Sequence, residues 1–359
     1  MITILPARLK LLHFPRAQLA QVTHAIVKAC FFQDIKDSNY FFSFTENAYE
    51  ISIVANKEII DNDFLPSLVA VNCSDMGTSP DILRVLQVDD EGGQDASGTR
   101  ISDLSEPLAR HKFSIFYMST YQTDFVLIKE RRLRQAIDVL QENGFEFDQD
   151  SVDMYMNESL SQEPTTTLAV QHANMSSESL ASSMDSGSVQ NMDPQDGIES
   201  SVLANELRCA GLNPHCRSSW AMTVLKILSY PELIDEYRAD QTRFFSYTAT
   251  SEGVSLIADQ HILHLFEEEA LFQEQDTVPL RVIQVNLAGT NIDRCGIVRS
   301  IAHPLANEAH INLLYLSTFK SANIIVSADD IERAEEILKP DLEKMRDMLG
   351  ELVLEPLQQ

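Results

Sequence analysis

Short apolar runs alternate with polar breaks along this chain, and the runs come back. FSIFYM (113–118) and FVLI (125–128) enclose the polar break STYQTD, while INLLYL (311–316) and IIV (324–326) enclose STFKSAN. Two strand-like runs joined by a few polar residues predict a β-hairpin. The surroundings repeat as well. RVLQVD (84–89) matches RVIQVN (281–286), and SEPLARHKFSIFYMSTY (105–121) matches AHPLANEAHINLLYLSTF (302–319) with one extra residue. Further upstream, FFSFTENAYEISIVA (41–55) matches FFSYTATSEGVSLIA (244–258), and HAIVKACFF (24–32) more faintly matches MTVLKILSY (222–230). The offset is nearly constant, so the first half of the chain is duplicated in the second.

Within 84–148 the periodicity predicts a complete small unit. RVLQV reads as a strand, and a polar loop holding Gly92, Gly93 and Gly98 follows. SDLSEPLARH carries Leu104 and Leu108 at helical spacing, with Ser102 placed to cap. The hairpin comes next. ERRLRQAIDVLQEN repeats Leu133, Ile137 and Leu140 as an amphipathic helix, and FEF (145–147) supplies a last strand. The order βαββαβ is the ferredoxin-like split unit. Residues 281–354 repeat it, with Ile297, Ile301 and Leu305 on one helix, Ile331, Ala334 and Ile337 on the other, and VLEP closing the sheet. Fainter copies precede each unit. The expected fold class is therefore α+β, with four ferredoxin-like units in two tandem pairs: 1–67, 68–148, 201–266 and 267–359. Pro107 and Pro304 sit at matching places in the first helices and are expected to kink them.

Residues 149–200 break the pattern. They carry acids but no Lys or Arg and are rich in Ser, Thr, Met, Gln and Asn. Such a stretch buries too little apolar surface to offset chain entropy, so it is expected to be a disordered linker. Its hydroxyls are open to phosphorylation, or it serves as a plain tether.

Charge narrows the possible partners. The net charge is −27, which repels nucleic acid and anionic membranes. Arg8, Lys10 and Arg16 interrupt any signal-peptide core, and no apolar run reaches the length of a membrane span. A cytosolic protein, or one both cytosolic and nuclear, is expected. Cys30, Cys73, Cys209, Cys216 and Cys295 form neither a disulfide framework nor a metal-ligand pattern, and they read as small buried hydrophobes. Ser119 and Ser317 lack a nucleophile-elbow context, and no P-loop or dinucleotide fingerprint is present. No set of nucleophile, base and orienter can be assembled, so neither an enzyme nor a cofactor is expected.

The turn NLAGTNIDRCGIV (286–298) is the best candidate for ligand contact. A helix starting near Gly296 aims unpaired backbone N–H groups at it, and Gly296 lets a ligand approach the backbone. Asp293 is placed to cap that helix.

LARHKFSIFYMSTYQTDFVLI together with CGIVRSIAHPLA and LYLSTF resembles the CASTOR (GATS-like) family of cytosolic arginine sensors, over both halves outside the linker. The resemblance implies four ACT domains, a non-enzymatic amino-acid sensor, a homodimer, and action on a GATOR-like complex upstream of TOR signalling. It places a free amino acid between the second and fourth units. Ser114 and Ile115 would contact it from one side. Arg294, Cys295 and Gly296, next to Asp293, would contact it from the other, with Thr318, Phe319 and Ala322. Tyr121, Gln122 and Asp124 would face the protein partner. The family's arginine sensors carry acids where this chain has Arg294 and Ala322. A guanidinium needs a carboxylate, so the identity of the amino acid stays open. Two other readings stay open as well: an ACT-type regulatory subunit of an amino-acid biosynthetic enzyme, and a scaffold independent of ligand.

Overall fold

The computed structural model describes residues 1–89, 97–161, 198–234, 243–273, 278–287 and 295–353. The first unit runs β1 (Ile2–Phe14), α1 (Leu19–Phe31), β2 (Phe41–Glu46) and β3 (Ile51–Asn56). It continues through α2 (Lys57–Ile59) and a π turn into α3 (Leu65–Ala70), and ends in β4 (Gly77–Thr78). The second runs β5 (Leu83–Asp89), α4 (Ser97–Arg110), β6 (Ile115–Ser119), β7 (Thr123–Lys129) and α5 (Leu133–Glu142), followed by α6 (Gln149–Ser161). After β8 (Glu199–Val202), the third runs β9 (Leu207–Leu212), α7 (Arg217–Ser229), β10 (Phe245–Thr250), β11 (Gly253–Asp259), α8 (Gln260–Leu263) and β12 (Leu271–Phe272). The fourth runs β13 (Leu280–Asn286), α9 (Ile297–His303), β14 (Leu313–Ser317), β15 (Ser321–Ser327) and α10 (Ile331–Val353). The α+β class and the repeated β-α-β-β-α order are as the periodicity predicts. α5 buries Leu133, Ala136, Ile137 and Leu140, and α10 buries Ile331, Ala334, Leu338 and Leu342, each on one helical face. Pro107 lies inside a continuous α4, whereas at Pro304 α9 gives way to a π turn, Pro304–Glu308.

The closing strands depart from expectation. In the second unit the place beside β5 is taken by residues 2–5 of β1, which pair with 85–88. β1 is long enough to serve two units: past an irregularity between Leu5 and Arg8, its residues 9–14 pair with β3. Phe147 of the FEF stretch makes only one parallel bridge, to Ile2. In the fourth unit β8 pairs with β13, and Val353, the first residue of the expected strand VLEP, ends α10, while the rest of VLEP lies outside the described residues. The second and fourth units are thus each closed by a strand from earlier in the sequence. The ends of the expected linker are also structured. α6 buries Val152 and Tyr155, and the Ile4 N–H donates to Ser151 Oγ at 3.1 Å. Buried Arg84 binds Glu158 of α6 at 3.1 Å. Residues 162–197 lie outside the described residues.

The sheet runs β9-β11-β10-β2-β3-β1-β5-β7-β6-β14-β15-β13, and β13 meets β9 again through Leu280 and Leu207. The path closes, so two sheets lie face to face with helices outside both. Side chains alternate between the faces. Phe42, Phe44, Phe245 and Tyr247 pack under α1 and α7, while Phe41 and Phe244 join the two cores between the sheets. Inner-face hydroxyls pair with each other across β2 and β10: Ser43 with Thr248 at 2.9 Å, and Thr45 with Ser246 at 3.1 Å.

Two seams join the halves, and they differ. β2 and β10 pair along their whole length, from Phe245–Glu46 to Thr250–Phe41. β6 and β14 share one ladder pair, Met118 with Leu316. Ser119 and Ser317, the first residues of the repeated breaks, take over where that ladder stops. The Tyr117 N–H donates to Ser317 Oγ at 2.9 Å, and the Tyr315 N–H donates to Ser119 Oγ at 3.1 Å. The Tyr117 and Tyr315 rings meet edge to face at 6.4 Å.

Removing either hydroxyl leaves a backbone N–H at the seam without its acceptor, which costs about 1–3 kcal/mol. Ser119→Ala and Ser317→Ala are each expected to lower urea stability by about that amount. Wild-type midpoints for both variants would show that the seam does not depend on these bonds.

Candidate ligand-binding site

The thin seam between the second and fourth units is where the candidate residues gather. Ser114, just before β6, forms an isolated antiparallel bridge with Cys295, and Cys295 Sγ lies 3.7 Å from the Ala109 carbonyl oxygen. Gly296 precedes α9 with φ of +83°, a left-handed conformation that suits glycine. Beneath α9 is a cavity of about 10 Å³, no larger than one water. Ile115 and Phe116 of β6 line it, as do Ile297 and Val298 of α9, and Tyr315, Ser317, Ser321 and Ala322 of the last hairpin. Ser114 also borders a wider pocket of about 210 Å³ with Phe113, Lys129, Arg131 and Arg132. The cations there are held: Lys129 and Arg131 both reach Asp81 at 3.3 Å, and Arg132 stacks on Phe113 at 3.9 Å.

Ser114, Ile115, Cys295, Gly296 and Ala322 are therefore brought together. Asp293 and Arg294 lie outside the described residues. Thr318 and Phe319 point elsewhere. The Thr318 hydroxyl pairs with Ser321 at 2.7 Å and faces Asn47 of the first unit. Phe319 stacks on His13 at 4.3 Å, and its N–H donates to Ser52 Oγ at 3.2 Å. These two residues dock the last hairpin on the first unit. Position in the linear motif alone could not separate them from Ala322, because the turn itself divides the two faces. Sequence reasoning also passed over Phe116, Tyr315 and Ser317. The last two were detectable as the repeat counterparts of Tyr117 and Ser119.

The first hairpin docks in the mirrored way, on the third unit. The Tyr121 N–H donates to Ser255 Oγ at 2.8 Å, and Ser255 is the repeat counterpart of Ser52. A methyl group at Gly211 would meet the Tyr121 ring at 2.9 Å. Lys320 and Gln122 occupy matching turn positions, and their partners are complementary. Glu50 reaches out to accept the Lys320 N–H at 2.5 Å, whereas its counterpart Gly253 has no side chain and the Gln122 amide fills the space.

Asp124 does not face a partner: it is 1% exposed. Its Oδ2 accepts from Arg100 Nε at 2.7 Å and from the Tyr117 hydroxyl at 3.0 Å. Burial pushes its carboxyl up from the usual carboxylate range, against Arg100 and the Ser119 and Tyr117 hydroxyls, which pull it down. Burial likewise raises the Tyr117 phenol well above its ordinary value, with Asp124 adding to the rise. A charge so enclosed serves the interior, and of the three expected partner-facing residues only Gln122 is exposed.

The ACT domain model matches residues 78–142 and 278–340, which contain both repeated hairpins. The chain is an α+β protein built on ACT domains. A Homo sapiens protein named cytosolic arginine sensor for mTORC1 subunit 1 is 26% identical over 357 residues, covering 94% of this chain and 96% of that one. Its Mus musculus namesake is 25% identical over 349 residues, with the same coverage. The chain is a distant homologue of these proteins. Among solved structures, aspartate kinase from Synechocystis is similar at 10% identity and a TM-score of 0.32, covering 95% of this chain and 55% of its own. The regulatory subunit of aspartate kinase from Thermus thermophilus is similar at 11% identity and a TM-score of 0.30, covering 40% of this chain and 98% of its own. Overlaps this loose say nothing about function. Among the described residues, no helix is long and apolar enough to cross a membrane.

Truncating Asp124 leaves the Arg100 guanidinium without its carboxylate, and breaking a buried pair this way costs about 3–5 kcal/mol. Asp124→Ala is expected to lose that much in urea unfolding and to shed any partner by losing structure. An unchanged unfolding midpoint would return Asp124 to the surface.

Proposed function

We propose that this chain is a non-enzymatic, amino-acid-binding regulatory protein of the cytosol, built like the arginine sensors it is related to. Its ligand would sit between the second and fourth units. The observation that carries this reading is the seam. Along the strands the two units share one ladder pair, two serine hydroxyl bonds and the Ser114–Cys295 bridge, with α4 and α9 packed into one core beside them, and a cavity lies at that junction between β6 and the start of α9. A ligand there contacts both units and so favours their closed arrangement, which is what a ligand must do to shift an equilibrium. A free amino acid needs more room than one water takes, so binding there would require the two units to separate around it.

The lining argues about the ligand's side chain. No carboxylate appears among the described lining residues, and Ile115, Phe116, Ile297, Tyr315 and Ala322 surround the cavity. A guanidinium enclosed there would find no carboxylate among those residues, and an unpaired cation is costly to bury. An apolar or small side chain fits better. The turn carrying Tyr121 and Gln122 is one strand away from the seam, and we assign it to the surface that meets a GATOR-like complex, with the chain acting as a homodimer.

The test is a thermal-shift screen of the purified chain against the twenty amino acids, with Gly296→Asp as the blocked control. At about 100 times its dissociation constant a ligand adds ~2.7 kcal/mol, several degrees for domains of this size. A shift with an apolar or small amino acid, lost in the control, is expected. A shift with arginine alone would overturn the side-chain assignment, and flat curves throughout would favour a ligand-independent scaffold. Separately, Gln122→Arg is expected to weaken partner capture by more than any accompanying shift in the unfolding midpoint explains. Undiminished capture would remove this turn from the partner surface.

A further inference from the structure

The repeat relates two places, one in the second unit and one in the fourth, and it fills them differently. Tyr117 corresponds to Tyr315, Ser119 to Ser317 and Asp124 to Ala322. Counting back from the shared Pro-Leu-Ala, Arg100 corresponds to Ile297. The correspondence holds at the flanks too. Ser114 bridges Cys295 in one place, and in the other the Gly98 N–H donates to the Asn312 side chain at 2.9 Å. In the fourth unit, Ile297, Tyr315, Ser317 and Ala322 surround the small cavity. In the second unit, the counterparts of those residues close around an ion pair. Arg100 Nε and Nη2 both lie 2.7 Å from Asp124 Oδ2, and the Tyr117 hydroxyl donates to the same oxygen at 3.0 Å. Asp124 is enclosed, while the Arg100 side chain stays 16% exposed and enters from the first turn of α4.

We propose that Asp124, Tyr117 and Ser119 form a guanidinium site in the second unit, and that the chain keeps it filled with its own Arg100. The acid, the phenol and the serine stand on two paired strands, β6 and β7, whose register fixes them independently of α4. The carboxylate is therefore in place whether or not Arg100 is, and an enclosed carboxylate without a cation is costly. Shortening Arg100 should leave a hole of guanidinium shape with the charge to fill it. While Arg100 is present, this half of the pseudo-symmetric pair is closed to free guanidinium compounds. The inference does not rest on the amino-acid-sensor reading, since the site is defined by the chain's own side chains.

The experiment compares wild type, Arg100→Ala and Arg100→Ala/Asp124→Asn by thermal unfolding, each titrated with ethylguanidinium and, as a control cation, ethylammonium. Arg100→Ala should melt several degrees lower. Ethylguanidinium should restore most of that loss along a saturating curve, and ethylammonium much less. Wild type should show no such rise, and neither should the double variant. If Arg100→Ala does not stay folded unaided, its refolding yield with each cation replaces the midpoint. Equal effects of the two cations, or rescue that survives Asp124→Asn, would overturn the proposal.

Discussion

The structure depends on closing a chain of β-strands onto itself. Each half contributes a continuous run of strands, and an edge strand with unpaired backbone groups must find a partner, since a buried N–H or C=O left alone is expensive. β2 and β10 solve this by full antiparallel pairing. β6 and β14 have only Met118 and Leu316 in register, and the neighbouring N–H groups of Tyr117 and Tyr315 go to serine hydroxyls of the opposite repeat. That substitution of side chain for backbone gives the molecule one seam with a full ladder and one whose strands share a single pair, backed by the core that α4 and α9 share.

The two hairpin breaks follow from the same constraint. Each begins with a serine that serves the seam and then turns to dock on the unit across the sandwich. STYQTD goes to the third unit through Ser255 and Gly211, and STFKSAN to the first through Ser52 and His13. Where one copy has Glu50 reaching out, the other has Gly253 and a glutamine reaching in. The copies have diverged as complementary pairs of shapes, so the packing survives without identical residues.

Much of this was legible in the sequence, for physical reasons. Period-two and period-3.6 patterns give strands and amphipathic helices directly, and the duplicated RVLQV and RVIQV mark equivalent strands. The closing strands were not legible, because pairing across the sheet is a tertiary choice: residues 2–5 of β1 displace FEF beside β5, and β8 takes the place expected for VLEP. Composition suggested disorder for all of 149–200, yet Val152 and Tyr155 bury themselves and Arg84 anchors Glu158. At the site, Ser114, Ile115, Cys295, Gly296 and Ala322 lie near one another, whereas Thr318, Phe319 and Asp124 turn inward to other tasks. A linear motif does not say which side of the turn a residue faces. Arg100 was overlooked for a related reason: its importance comes from filling a space that exists only once the repeat is folded.

The central claim is that an amino acid acts by joining the second and fourth units across the thin seam. Hydrogen–deuterium exchange, read at peptides covering Tyr117 and Tyr315 with and without a pooled set of free amino acids, tests it most directly. Slower exchange in both peptides together, with the segment around Cys295 and Gly296 protected as well, is the predicted result. Unchanged exchange at the seam, or protection confined to another pair of units, would contradict the account.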